Sequence, residues 1–321
     1  MTSRKLVIGT KPLPIGGVTI HVERLLQLLS KNKVEFEFID LKRVPKLNIV
    51  KAIFLAKRIH LHTSNVYLRF FLSLFGKLAF KEIDFTLHGN LGRYKSRVKN
   101  YLDLLTIRLA TIPVVLNEHS FKIAIKLNRN TVLGSAFIPP DLDKEIIEET
   151  LKQRIIKLKI KVDYLFSTNA SNLSFDKTGQ EIYGIFDLIN LFSNLPQYGL
   201  IISDPSAAYE AALKEKKTSI PENILLLSEP HSFYKVIELS NATIRNTSTD
   251  GDSISVRESL YIQKPTFCTD VVSRPQGALT YRKGELKTAL NKIDLQHDNY
   301  SGDFKKETDH SLNKLLELYK K

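Results

Sequence analysis

Two loops carry the residues best suited to chemistry. Residues 246–259 run Asn-Thr-Ser-Thr-Asp-Gly-Asp-Ser and then Ile-Ser-Val-Arg-Glu-Ser, a polar turn entering a helical pattern. Asp252 or Ser253 is a natural N-cap there, and Gly251 supplies the sharp turn. The start of such a helix offers unbonded backbone N–H groups and a positive dipole end to an anion. Glu258 lies more than a turn into it. Its carboxylate is either an acceptor for both hydroxyls of a ribose or an ordinary surface glutamate. In the other loop, residues 12–17 read Pro-Leu-Pro-Ile-Gly-Gly. Gly16 and Gly17 let backbone N–H groups approach a ligand closely, or simply close a tight strand-to-helix turn. They do not spell the G-x-G-x-x-G fingerprint.

Histidine is the other chemical resource. His88 ends a strand-like run just before Gly89, at the strand end where doubly wound sheets bind ligands. His21 falls in the first turns after Gly16-Gly17. His60, His62, His119 and His231 have no constellation around them in the sequence and read as structural or solvated. With one cysteine, Cys268, and no His/Cys spacing of the metal-binding kind, no metal site is expected.

These residues need a frame. Strand-like runs at 6–8, 34–39, 59–62, 83–87 and 113–116 alternate with helical patterns at 18–29, 49–56, 67–80 and 94–110. The alternation restarts with strands at 163–168, 200–203, 224–227, 242–245 and 266–269, helices lying between them. This order predicts parallel, doubly wound sheets. Ala136-Phe137-Ile138-Pro139-Pro140 interrupts it, because paired prolines end regular structure. The prediction is an α/β chain of two Rossmann-like domains, 1–142 and 143–302, facing a central cleft. A charged helix over 303–321, with Leu312, Leu315, Leu316 and Tyr319 on one face, is expected to pack back on the first domain.

The 321 residues hold 47 Lys and Arg against 34 Asp and Glu, a net charge of +13. Between Lys42 and Arg108, fourteen bases face only Glu82, Asp84 and Asp103. Such a field attracts a phosphorylated substrate, an anionic bilayer or nucleic acid. No zinc-finger, RNA-binding aromatic or basic-zipper pattern accompanies it, which argues against nucleic acid. No run approaches the roughly 18 uncharged apolar residues of a membrane span. The first nine residues lack the apolar stretch of a signal peptide, and the lone cysteine fits a cytoplasmic protein, bound at most to the membrane's inner surface. The helix over 67–80 carries Arg69, Ser73 and Lys77, with Lys81 just beyond, at every fourth position. The pattern predicts a Leu- and Phe-rich core helix with this polar stripe in water. The other reading is a face set against membrane or a lipid-linked acceptor.

Together these motifs resemble the GT-B retaining glycosyltransferases of family 4, which build cell-surface polysaccharides and glycolipids. The marks are Gly16-Gly17-Val18 before His21, Thr86-Leu87-His88-Gly89, Phe137-Ile138-Pro139-Pro140, and residues 249–259 ahead of Lys264-Pro265. They span nearly the whole chain. The family carries two glutamates with seven residues between them, the second followed by a small residue; Asp250, Glu258 and Ser259 keep that pattern. The resemblance implies sugar transfer, with retention and without a metal, from a nucleotide-sugar to a saccharide or lipid-linked acceptor. No cofactor is implied, since the nucleotide-sugar is a substrate. Asp250 would contact the donor sugar and Glu258 the ribose, with Gly16, Gly17, Asp252 and Ser253 lining the donor site. His88 would bond the transferred sugar, and Lys177 would steady the departing diphosphate.

Two departures from that family matter. Asp250 is one methylene shorter than the usual glutamate. Where the family has an arginine, this chain has Asn169-Ala170-Ser171, with Arg257 and Arg274 as alternative replacements. Asp250-Gly251-Asp252 also spells the D-x-D by which the GT-A fold holds Mg²⁺ or Mn²⁺, although its place in the second half fits GT-B better. The rival functions are a non-catalytic binding subunit, with a degenerate donor site, and a nucleotide-sugar epimerase.

Overall fold

A computed structural model describes residues 5–292 and 304–320. One compact unit runs through Ile138 and takes in the chain again from Thr308; the other spans Pro139–Glu307. The first contains β1 (Lys5–Gly9), α1 (Gly17–Lys31), β2 (Glu37–Asp40), α2 (Lys46–Leu55), β3 (Arg58–Leu61) and α3 (Val66–Leu78). It continues with β4 (Glu82–Leu87), α4 (Arg97–Leu109), β5 (Ile112–Val115), α5 (Glu118–Leu127) and β6 (Val132–Leu133). The six strands form one parallel sheet in the order β2-β1-β3-β4-β5-β6. Alternation along β1 sends Leu6 and Ile8 to a core with Ile53, Ile59 and Phe85. Val7 faces the other way, toward Val22, Leu25 and Leu29 of α1, where Leu316 and Tyr319 of the last helix also pack.

The second unit repeats the plan. After α6 (Glu149–Lys159) come β7 (Tyr164–Asn169), α7 (Ile185–Ser193), β8 (Tyr198–Ser203), α8 (Ala208–Glu215), β9 (Ile224–Leu227) and α9 (Phe233–Leu239). Then follow β10 (Ala242–Arg245), α10 (Ile254–Tyr261), β11 (Thr266–Thr269), β12 (Leu279–Tyr281) and α11 (Leu286–Lys292); the last helix, α12 (Phe304–Lys320), belongs from Thr308 to the first unit. The sheet order is β12-β11-β10-β7-β8-β9, again parallel. Phe166, Leu200 and Ile202 fill one face, and Leu165 and Ile201 the other.

The sequence reading assigned nothing to β12 and α11, because Pro275, Gly277 and Gly284 break up any periodicity there. A 3-10 turn at Leu142–Lys144 precedes α6. The units divide at the paired prolines, four residues before the expected junction. The boundary expected at 302–303 lies outside the described residues.

Helix α3 keeps Lys77 of its polar stripe exposed, as expected, but turns two other stripe residues inward. Arg69 and Ser73, placed in water by the pattern, are fully buried. Arg69 pairs with Asp103 of α4 and donates to the Thr63 carbonyl at 2.7 Å, so the guanidinium is desolvated but matched. Gly76 lies so close to the sheet that a Cβ there would be 2.3 Å from Ile83 Cδ1. The small, polar side of α3 therefore faces inward, and Phe71 and Leu78 face out at 60% and 70% exposure. Phe80, 97% exposed, closes the helix with φ +57°. That is the left-handed position a Schellman closure normally gives to glycine. Among the described residues no helix is long and apolar enough to cross a membrane.

Candidate functional site

In the second unit, polar side chains gather where β7, β10 and β11 end. Arg245, the last residue of β10, is buried and forks onto Asp250: Nε donates to Oδ2 at 3.0 Å and Nη2 to Oδ1 at 3.1 Å. Its Nη1 reaches Asn169 at the end of β7, meeting the carbonyl and Oδ1 at 3.3 Å each. Arg274 donates from Nη1 to the same Asp250 Oδ2 at 2.8 Å, from Nε to the Thr269 carbonyl at 3.0 Å and from Nη2 to Thr247 Oγ1 at 3.2 Å. Two guanidinium groups thus share one carboxylate, leaving one positive charge in excess at the strand ends. Burial alone would push the Asp250 carboxyl up; Arg245 and then Arg274 outweigh it, holding the group below its ordinary value.

Asp250 is densely contacted in this arrangement. Its oxygens already accept from Arg245 twice, Arg274, the Gly251 backbone and Thr247, more than the roughly four lone-pair sites a carboxylate offers. The carboxylate joins the two arginines. Of the two candidates for the missing arginine, Arg257 is engaged by Asp252 at 2.5 Å and Glu307 at 3.0 Å. Arg274 is the one beside Asp250. Arg245 was missed by the sequence reading; its only signal was a base closing an apolar strand.

Ser253 occupies the N-cap of α10, with its Oγ 3.0 Å from Ser255 Oγ. Glu258 is not the surface glutamate its position suggested: it is 4% exposed. Lys177 is exposed, at the tip of a hairpin bridged by Phe175 and Glu181. Behind that hairpin Gly184 takes φ +60°, and a Cβ there would stand 2.5 Å from the Asn246 carbonyl.

In the first unit, Gly16 caps α1, and Thr19 Oγ1 accepts from the Gly16 N–H at 3.1 Å while donating to the Pro14 carbonyl at 2.8 Å. Two of the histidines read as isolated, His60 and His62, are not. His62, just past β3, has Nδ1 3.3 Å from Nε2 of His88, just past β4. The His21 ring of α1 lies 4.9 Å from that of His88 and 5.3 Å from that of His62. His60 Nε2 is 2.9 Å from Thr86 Oγ1, and its Nδ1 is 2.6 Å from the Tyr319 hydroxyl. Burial pushes His60 down to about 3 and depresses His62 and His88 well below the ordinary range, so all three are neutral near pH 7. Gly89 makes room for Arg93, whose Nη1 would be 2.0 Å from a Cβ at that position.

No family model matches the chain, and no curated protein matches it in sequence. Solved structures do match. HepE of Anabaena in complex with UDP and glucose is 12% identical, with a TM-score of 0.71 over 98% of both chains. Sucrose-phosphate synthase from Thermosynechococcus elongatus is 13% identical, with a TM-score of 0.68 over 99% of this chain and 98% of that one. The fold is GT-B. UDP-GlcNAc 2-epimerase from Methanocaldococcus jannaschii also matches, 11% identical with a TM-score of 0.60 over 98% of both chains. Within the GT-B frame, Arg245, Asp250, Arg274 and Glu258 lie in the second unit, and His21, His62 and His88 lie in the first.

Proposed function

We propose that this GT-B protein transfers a sugar, with retention, from a nucleotide-sugar to a lipid-linked saccharide. The observation that carries the donor half is the surplus charge of Arg245 and Arg274 around Asp250, set beside a helix that buries Glu258. The two arginines and the start of α10 supply what a diphosphate needs, charge and directed N–H groups. Glu258 takes the ribose hydroxyls, and His88 takes the transferred sugar. With cations of its own at the diphosphate, the site needs no Mg²⁺ or Mn²⁺ there, and Asp252, tied to Arg257, is no metal ligand. The GT-B likeness to structures holding UDP, UDP with glucose and UDP-glucose supports a uridine nucleotide.

Two features support a lipid-linked acceptor at an anionic bilayer. Phe71 and Leu78 of α3 and Phe54 of α2 are exposed apolar side chains that water does not favour. Lys77, Lys95, Arg97 and Lys99 lie in the same stretch of chain and complement acidic headgroups. Calorimetric titration with UDP tests the donor half: saturable binding is expected, and a folded protein that binds no nucleoside diphosphate refutes it. Sedimentation with acidic-lipid vesicles tests the acceptor half. Binding should fall steeply with salt and be lost when Lys95, Arg97 and Lys99 are all replaced by Glu, because exposed attraction is screened within about 10 Å at 0.1 M. Absent or salt-indifferent binding removes the membrane claim.

A further inference from the structure

We propose that His21, His62 and His88 form a binding site for one transition-metal ion of the Zn²⁺ type. A donor atom from each of the three lies within 4.8 Å of the others. The His62 Nδ1 to His88 Nε2 distance of 3.3 Å is already the edge expected of a tetrahedron with metal–nitrogen bonds of about 2.0–2.1 Å. Three imidazoles with no carboxylate among them suit a borderline ion and offer nothing to Mg²⁺ or Ca²⁺.

The surroundings fix the rings as ligands. The His21 Nδ1 is 2.7 Å from the Ala136 carbonyl, which can only accept. The proton is therefore on Nδ1, and the Nε2 lone pair is the one presented. His62 has its Nε2 3.4 Å from the Tyr319 hydroxyl, which is also bonded to His60. A proton on that nitrogen leaves the Nδ1 lone pair for the metal. An outward N–H held by an oxygen acceptor is the arrangement that orients and strengthens a ligating imidazole. The ligands come from α1 and from the ends of the adjacent strands β3 and β4, which belong to one compact unit. Three protein ligands leave a fourth position open to water or an anion. Ligation through Nε2 would leave the His88 Nδ1–H as the donor to a sugar oxygen; only this last clause rests on the proposed sugar transfer.

The test uses untagged, full-length protein stripped with a chelator and titrated with Co²⁺ and then Zn²⁺. One equivalent of Co²⁺ should bind with the visible absorption of a tetrahedral ion, and Zn²⁺ should displace it. His62→Ala and His21→Ala should each weaken binding at least 100-fold. Tyr319→Phe, which removes only an outer partner, should weaken it about 10–100-fold. His119→Ala and His231→Ala should leave it unchanged. Circular dichroism and thermal melting on the same samples show that each variant is folded; His62→Gln replaces any that is not. Absence of stoichiometric uptake by folded protein overturns the site. So does uptake that survives His62→Ala, or uptake lost equally in His119→Ala. None of these outcomes bears on UDP binding by the second unit.

Discussion

Replacing Asp250 by Asn tests how the second unit holds its surplus charge. The carboxylate is buried between two guanidinium groups, with pair distances of 2.8 to 3.1 Å, so the substitution removes the anion and leaves two buried cations facing each other. Breaking a buried pair by removing one partner costs about 3–5 kcal/mol, because the remaining charge loses its compensation. At about 2–4 °C per kcal/mol for a unit of this size, the second unit should melt roughly 6–20 °C lower. The deficit should depend on pH. Asp250's folded pKa lies below its ordinary value, so its stabilisation is whole above the ordinary carboxylate range and is lost as pH falls through the folded value. Wild type and Asp250→Asn should therefore differ at pH 7 and converge in strong acid. UDP should restore part of the loss, since a bound diphosphate supplies negative charge where the carboxylate was. Two compact units need not unfold together, so calorimetry should be read with hydrogen exchange at β10 and β11. A loss under 1 kcal/mol, or a deficit that does not change between pH 7 and acid, would refute the account of Asp250 as the anion that holds Arg245 and Arg274.

Glu258→Gln should weaken UDP binding by about 1.5–3 kcal/mol, the worth of a charged hydrogen bond, with 2′,3′-dideoxy-UDP losing little by comparison; equal affinity for UDP in mutant and wild type removes the ribose assignment. Burial pushes the Cys268 thiol up to about 12, so native protein at pH 8 should resist a disulfide reagent that modifies it promptly in urea. Asp103→Ala should destabilise the first unit by about 3–5 kcal/mol, whereas Arg69→Met with Asp103→Leu should come close to wild type in denaturant melts, since an apolar pair can replace a matched buried ion pair.

Much of the fold was legible because parallel sheets covered by helices impose simple patterns. Apolar strands such as residues 242–245 and the 3.6-period of α1 announce themselves. Helix α3 was misread for a physical reason. A pattern of charge at every fourth position says that one side differs from the other, but not which side faces water. Tertiary partners decide that. Asp103, 34 residues away, gives Arg69 a buried match, and Gly76 allows the close approach that the Leu- and Phe-bearing side could not make. The missing β12 and α11 are the opposite case, short elements whose stability comes from the edge they cover rather than from their own periodicity.

The candidate site shows the same division between local and assembled information. The spacing of Asp250 and Glu258 is local, and it drew attention to α10. What Asp250 does is not local: Arg245 stands five residues before it and Arg274 twenty-four after, and only the sheet order brings β10 and β11 together so that both reach one carboxylate. The histidines make the point more sharply. Strands β3 and β4 pair with a constant offset, Arg58 beside Glu82 and His60 beside Asp84. A parallel crossover therefore carries residues just past the two strand ends to the same place, and His62 meets His88 although no sequence window contains both. Searches for metal ligands by short spacing are blind to such a set, since each ligand belongs to a different βα turn. The physical expectation for doubly wound sheets is that chemistry gathers at consecutive strand ends. A histidine at each of two neighbouring ends, with a third on the first helix, is the form that this expectation takes here.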